Sequence, residues 1–127
     1  MKFTKIVYLI AGIYGLLGVV PNYFLETQNN QQFPPAITHP EYYYGFLGVA
    51  LAWQIAFFII SRDPVRYRPL FITTVIEKFS FGIDNIALFA LGRVTTFVLV
   101  FGLVDLVWGI LFIICYFKLA SDEYKRS

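Results

Sequence analysis

The sequence predicts an all-α integral membrane protein, an antiparallel four-helix bundle with both termini in the cytoplasm. The first observation behind this prediction is composition: of 127 residues, 58% are hydrophobic, 20% are aromatic and 14% are charged. A typical soluble domain carries about 25% charged residues. The other two observations are four apolar stretches of membrane-spanning length and an uneven distribution of Lys and Arg between the segments that connect them.

Composition also limits the classes of function. The low content of charged residues and the net charge of +2 exclude a disordered chain, a nucleic-acid-binding domain and most soluble enzymes. A single Cys and a single His provide neither a disulfide framework nor a Cys/His metal site. We therefore expect no cofactor, no metal ion and no nucleic-acid partner.

Four stretches reach the roughly 20 mostly apolar residues that a membrane-spanning helix needs. They cover residues 5–25, 41–61, 70–91 and 95–117, so residues 1–127 are predicted to form one transmembrane domain. The first connection is polar and then interrupted by prolines, which indicates a loop outside the membrane. In the second connection, Pro64 ends one helix and Pro69 fits the first turn of the next. The third connection, Gly92–Val94, is so short that it predicts a tight antiparallel hairpin.

Lys and Arg set the predicted orientation through the positive-inside rule. The loop after the first helix contains neither residue, whereas the second loop and both ends of the chain are basic. The basic residues assigned to the cytoplasmic side are Lys2, Lys5, Arg62, Arg66, Arg68, Lys118, Lys125 and Arg126. Four spans that cross the membrane in alternating directions place all of these residues on the same side.

Small residues recur in the first helix at Gly12, Gly15 and Gly18. Small side chains allow the backbones of membrane helices to approach closely, so we expect close helix packing there. Cys115 falls in an apolar part of the fourth helix and is expected to be chemically inert.

Charged residues within the third helix carry the main functional signal. At 100° per residue, Glu77, Lys78 and Asp84 fall on a polar arc opposite an apolar arc that includes Ile72, Ile76, Ile83 and Ile86. A charge at the bilayer centre costs at least about 2.5 kcal/mol. We therefore expect all three charged side chains to face the interior of the bundle.

Residues of other helices reach the same predicted depth. Counted at about 1.5 Å per residue, Gln54 and Trp53 of the second helix and Asp105 and Trp108 of the fourth fall in a slab with Lys78 and Asp84 near the membrane midplane. In a purely structural interpretation, Lys78 pairs with Asp105 or Asp84 and Gln54 hydrogen-bonds between helices. Two features favour a pocket instead: the slab holds three carboxylates but one Lys, and both Trp residues are deep rather than interfacial.

The favoured hypothesis is a pocket within the bundle for a lipophilic small molecule or a lipid, because such pockets combine apolar walls with a few polar groups. The predicted ligand-binding residues are Gln54, Trp53, Glu77, Lys78, Asp84, Asp105, Trp108 and Phe112. A second hypothesis is proton or ion handling through the acids Glu77, Asp84 and Asp105. A third is a structural or accessory membrane subunit without a ligand. The sequence favours a protein that is not an enzyme. We expect membrane lipids as its partners, and self-association stays an open alternative.

Three segments of the sequence resemble a family of small, uncharacterised bacterial membrane proteins with four spans: His39–Gln54, Arg62–Pro69 and Phe101–Gly109. The resemblance covers nearly the whole chain, implies a multi-pass protein of the bacterial inner (plasma) membrane and brings no activity with it. More remotely, the layout is similar to DoxX-like proteins and to the EXPERA group, which includes sterol isomerases and a sterol-binding receptor. In both groups four helices enclose a cavity at membrane level. No catalytic residue is carried over to this chain.

Overall fold

The computed structural model describes the backbone of residues 1–126 and the side chains of residues 1–120, and it contains no β-strand within them. Lys125 and Arg126, which support the predicted orientation, therefore lie outside the described side chains. The α-helices are α1 (Lys2–Val19), α2 (Glu26–Gln32), α3 (Pro40–Arg62), α4 (Phe71–Ala90) and α5 (Thr96–Arg126), with 3₁₀ turns at Val20–Phe24 and Arg68–Leu70. The predicted all-α class is confirmed.

Three helical segments are long and apolar enough to cross a membrane. They are Lys2–Phe24, Pro40–Arg62 and Thr96–Ala120, with mean hydropathies of 1.9, 1.8 and 2.7. Helix α4 has 20 residues but is not among them, because Glu77, Lys78 and Asp84 interrupt its apolar sequence. A helical membrane protein with three candidate spans is thus supported, and a fourth span at α4 stays a prediction.

The first loop differs from its prediction. Residues Glu26–Gln32 form the short helix α2, which the sequence did not indicate because this segment has no apolar face. The segment after α2 folds back against this helix, because the backbone N–H of Ile37 donates to Oδ1 of Asn30 at 2.8 Å.

The internal contacts divide the chain into two units. One unit comprises Tyr8–Ile59, and the other comprises Met1–Val7 together with Ile60–Ser127. We call them the α1–α3 unit and the α4–α5 unit. In the α1–α3 unit, the Tyr8 and Phe57 rings lie edge to face at 5.9 Å. A methyl group at Gly12 would meet the Phe58 ring at 2.9 Å, whereas Gly18 has open space around it. Close packing is therefore confirmed at Gly12 but not at Gly18.

The same unit is tied together near its polar loop by two tyrosine hydroxyls. The Tyr43 hydroxyl donates to the backbone carbonyl of Asn22 at 2.6 Å. The Tyr44 hydroxyl donates to Oε2 of Glu26 at 2.7 Å. These bonds connect the start of α3 to the residues that follow α1.

In the α4–α5 unit, the two long helices form the predicted antiparallel hairpin. Gly92 ends α4 in the left-handed conformation, with φ of 72°. Its N–H donates to the carbonyl of Phe89, and the N–H of Arg93 donates to the carbonyl of Leu88. This is the Schellman arrangement, which favours Gly at the left-handed position. The turn therefore has a specific conformation encoded by one residue.

One stripe of α4 is buried: Phe71, Thr74, Lys78, Gly82 and Asn85. Its members are three or four residues apart, and residues 71, 78 and 85 are separated by seven, which is the spacing of a helix that packs along one seam. The opposite side is apolar and exposed, with Ile72, Ile76, Ile83 and Ile86 between 41% and 60% accessible. The predicted apolar arc of the third helix is confirmed as an exposed face.

Candidate functional site

A cluster of three charged side chains connects α4 to α5. Nζ of Lys78 lies 3.5 Å from Oδ1 of Asp105 and 3.8 Å from Oε2 of Glu77. The side chain of Lys78 is 4% accessible, that of Asp105 14% and that of Glu77 21%. The pairing of Lys78 with Asp105, one of the two pairings offered by the purely structural interpretation, is therefore present, and Glu77 joins it.

Glycine on α5 makes this approach of the helices possible. A methyl group at Gly109, one turn beyond Asp105, would lie 3.3 Å from Cβ of Lys78 and 2.7 Å from the Phe79 ring. Because Gly109 leaves that space free, the base of the Lys78 side chain packs directly on the α5 backbone. Its ammonium group then reaches the carboxylate of Asp105.

The cluster has more acceptors than cations. Two carboxylates lie within 4 Å of one ammonium group, so with all three groups ionised the cluster carries one excess negative charge. Oε2 of Glu77 is buried and accepts no hydrogen bond from any described residue. A buried carboxylate oxygen is costly unless it is hydrogen-bonded, protonated or matched by a ligand. Glu77 is therefore the position at which this cluster can accept a donor.

The prediction that Asp84 faces the interior is wrong, because its side chain is exposed. The buried stripe of α4 centres near Lys78 and Asn85, and Asp84 lies about 120° around the helix from Lys78 at 100° per residue. The predicted polar arc was wider than the face that α5 covers. Asp84 lies outside the charged cluster.

Asn85 was not among the predicted site residues, yet it is only 5% accessible. Its side chain packs on Gly102, where a methyl group would lie 2.8 Å from Cβ of Asn85. Its Nδ2 atom is buried with no hydrogen-bond partner among the described residues. Asn85 follows Lys78 by seven residues, which is about two turns of the helix. This spacing in the sequence indicates that Asn85 lies on the buried stripe of α4 with Lys78.

Aromatic side chains follow Asp105 along α5. The rings of Trp108 and Phe112 lie 6.3 Å apart, and Phe112 is fully buried. Trp108 is partly accessible. Both residues lie within about 60° of Asp105 around the helix, so they extend the surface that carries the cluster.

Gln54 and Trp53 belong to the α1–α3 unit. Gln54 is 2% accessible, and its Nε2 atom donates to the carbonyl of Ala50 in its own helix at 2.8 Å. The side chain fills the space above Gly15, where a methyl group would overlap the Gln54 amide. The Trp53 ring lies 6.5 Å from that of Phe57. That Gln54 shares a polar layer with Lys78 remains a prediction.

An open apolar groove of about 190 Å³ runs between α4 and α5, away from the charged cluster. It is lined by Phe71, Ile72, Val75, Ile76, Ile113, Tyr116 and Phe117. None of the eight predicted ligand-binding residues lines it. Among the described residues, no group of three His, Cys, Asp or Glu side chains is arranged to hold a metal ion.

Comparisons of the chain with protein-family models, with curated proteins and with solved structures found no match.

Proposed function

We propose that this is a multi-pass membrane protein that binds a lipophilic molecule at the Glu77–Lys78–Asp105 cluster, through a hydroxyl or amine group that donates to Glu77. The observation that carries the proposal is the buried Oε2 atom of Glu77, which has no hydrogen-bond partner among the described residues. Within the membrane a donor on a lipophilic molecule would satisfy that oxygen at little additional desolvation cost. Ionisable residues inside membrane segments commonly mark functional sites.

The proposal includes α4 as the fourth span, with both termini in the cytoplasm of a bacterial cell and the chain in the inner membrane. Its support is the division of α4 into two faces. Ile72, Ile76 and Ile83 are exposed on one face, where lipid would surround them. Lys78 is buried on the other and paired with Asp105, so its charge is not presented to lipid.

Trp108 and Phe112 would form the apolar wall beside the cluster. Lipophilic sites combine mostly apolar walls with a few polar groups that fix orientation. The resemblance to DoxX-like and EXPERA proteins implies a cavity at membrane level, which agrees with this proposal.

The test is native mass spectrometry of the protein purified in mild detergent. We expect a lipophilic molecule to co-purify with the natural protein and to have a lower occupancy in Glu77→Gln, because a neutral amide oxygen is a weaker acceptor than a carboxylate oxygen. Asp84→Asn is the matched control, because it removes a carboxylate of the same helix that is exposed. Equal occupancy in Glu77→Gln and Asp84→Asn would refute the proposed site.

Proton exchange is the second candidate. The observation that favours it is that two carboxylates share one ammonium group within 4 Å, so the cluster has room for one added proton. In proteoliposomes with a pH-sensitive dye inside, Glu77→Gln and Asp105→Asn should abolish proton flux while Asp84→Asn retains it. Absence of both a bound molecule and a flux would favour the third candidate, an accessory membrane subunit.

A further inference from the structure

We infer that the apolar groove between α4 and α5 is a binding site for one anionic phospholipid of the cytoplasmic leaflet. An acyl chain would lie in the groove and the phosphate would bind Arg68. This site is separate from the charged cluster. It rests on the proposed span of α4 and the proposed cytoplasmic side of Arg68, but not on what the cluster binds.

The groove has the apolar lining that an acyl chain needs. Its lining is apolar apart from the Tyr116 hydroxyl, and it is open along one side. Ile72 and Ile76, one turn apart on α4, are 54% and 60% accessible. In a membrane such an open furrow on the helix surface is filled by lipid tails.

A cation is fixed at one end of the groove. The guanidinium carbon of Arg68 lies 3.9 Å from the centre of the Tyr116 ring, and Tyr116 lines the groove. Nε of Arg68 donates to the backbone carbonyl of Tyr116 at 3.1 Å. These two contacts hold the side chain in place, so little conformational entropy is lost when an anion binds.

The held guanidinium retains donors for a phosphate. Arginine has five N–H groups, and the contact with Tyr116 uses the one on Nε. The other four N–H groups lie on the terminal nitrogens, which the hydrogen bond to Tyr116 does not use. Arginine binds phosphate oxygens through paired N–H groups of this kind.

The surrounding charge favours an anionic lipid over a neutral one. Arg62 and Arg66 lie in the same connection and are exposed. Basic residues at the cytoplasmic end of membrane helices attract anionic lipids. A second protein chain is a weaker candidate for occupant, because an apolar groove that ends in a cation matches a tail with an anionic headgroup.

The experiment is native mass spectrometry of the full chain in mild detergent, titrated with dioleoyl phosphatidylglycerol and, separately, dioleoyl phosphatidylcholine. We expect one phosphatidylglycerol to bind in preference to phosphatidylcholine. Arg68→Gln should bind phosphatidylglycerol about fivefold more weakly, and Arg68→Lys, which keeps the charge, should retain part of the preference. Arg93→Gln is the control, since it removes an arginine from the opposite end of the hairpin.

A second variant, which fills the groove, keeps the test valid even if Arg68→Gln destabilises the protein. Ile76→Trp places a large apolar side chain over the groove at an exposed position, and it should remove the bound lipid while the melting temperature stays near that of the natural chain. Unchanged phosphatidylglycerol binding in both Arg68→Gln and Ile76→Trp would overturn the inference. So would a dimer that Ile76→Trp dissociates with no lipid bound, because the occupant would then be a second copy.

Discussion

Nζ of Lys78 on α4 lies 3.5 Å from Oδ1 of Asp105 on α5, and Lys78 is almost completely buried. Removing one partner of a buried ion pair leaves an uncompensated charge, which typically costs 3–5 kcal/mol. Lys78→Met leaves Asp105 and Glu77 without their cation, so we expect the free energy of unfolding to fall by about 3 kcal/mol. Titration of the detergent-solubilised protein with a denaturing detergent measures this change.

Two variants sharpen that prediction. Asp84→Asn should change stability by less than about 0.5 kcal/mol, as is usual for surface substitutions, because Asp84 is exposed. Adding Asp105→Asn to Lys78→Met should restore part of the lost stability, since it removes one of the two unpaired carboxylates. If Lys78→Met and Asp84→Asn have the same effect, the charged cluster does not stabilise the hairpin.

The glycines at the contact between α4 and α5 should not tolerate a side chain. A methyl group at Gly82 would lie 2.8 Å from the backbone oxygen of Gly102, which cannot move without separating the helices. We expect Gly82→Ala to lower the free energy of unfolding by about 1–3 kcal/mol, the usual cost of overpacking. Thermal unfolding followed by circular dichroism measures the loss.

Gly45→Ala is the matched control for that substitution. A methyl group at Gly45 meets no atom within 4 Å, and Ala is favoured over Gly within a helix by roughly 0.5–1 kcal/mol. Gly45→Ala should therefore leave the melting temperature unchanged or raise it. Equal losses at Gly45 and Gly82 would mean that the helix contact does not depend on Gly82.

Gly92 should be sensitive for a different reason, its backbone conformation. At φ of 72° an L-residue with a Cβ atom pays about 1–2 kcal/mol, so Gly92→Ala should destabilise the turn by about that amount. Asn tolerates the left-handed region better than Ala, so Gly92→Asn should lose less. The order Gly, Asn, Ala in melting temperature checks this prediction, and a reversed order of Asn and Ala would contradict it.

Cysteine labelling distinguishes four spans from three. Cys115 is fully buried, and replacing it with Ser gives a background without a native thiol. A membrane-impermeant maleimide applied to intact cells should label Asn30→Cys and Thr95→Cys, and should label Val65→Cys only after permeabilisation. If α4 does not cross the membrane, Thr95→Cys will be protected in intact cells.

The sequence predicts much of the fold because length and apolarity decide where membrane helices form. The predicted stretch 70–91 corresponds to Phe71–Ala90, and the stretch 41–61 to Pro40–Arg62. The short connection around Gly92 also determines the antiparallel order of α4 and α5, and with it the contact between Lys78 and Asp105. Helix α2 was not predicted because its polar residues show no periodicity, and short isolated helices gain little from propensity alone.

The sequence predicts the charged cluster less well because a helix period alone does not show which part of a polar arc a neighbour covers. Glu77 and Asp84 are only about 20° apart around α4, yet Glu77 is in the cluster and Asp84 is exposed. Their difference arises from α5, where Asp105 and Gly109 lie opposite Lys78. Asn85 is buried for the same reason, since Gly102 on α5 leaves room for it.

The burial of Lys78 against Asp105 also bears on how the chain enters a membrane during synthesis. Helix α4 contains Glu77, Lys78 and Asp84, whereas the membrane-capable segment Thr96–Ala120 of α5 contains only Asp105 and Lys118. As an isolated segment, α4 therefore partitions poorly into lipid. Asp105 is made 27 residues after Lys78, when α4 has already left the ribosome's peptidyl-transfer centre. If α4 is the fourth span, as proposed, we expect it to wait at the translocon and to move into lipid together with α5, as a hairpin in which Lys78 already has Asp105 and Glu77 as its counter-ions.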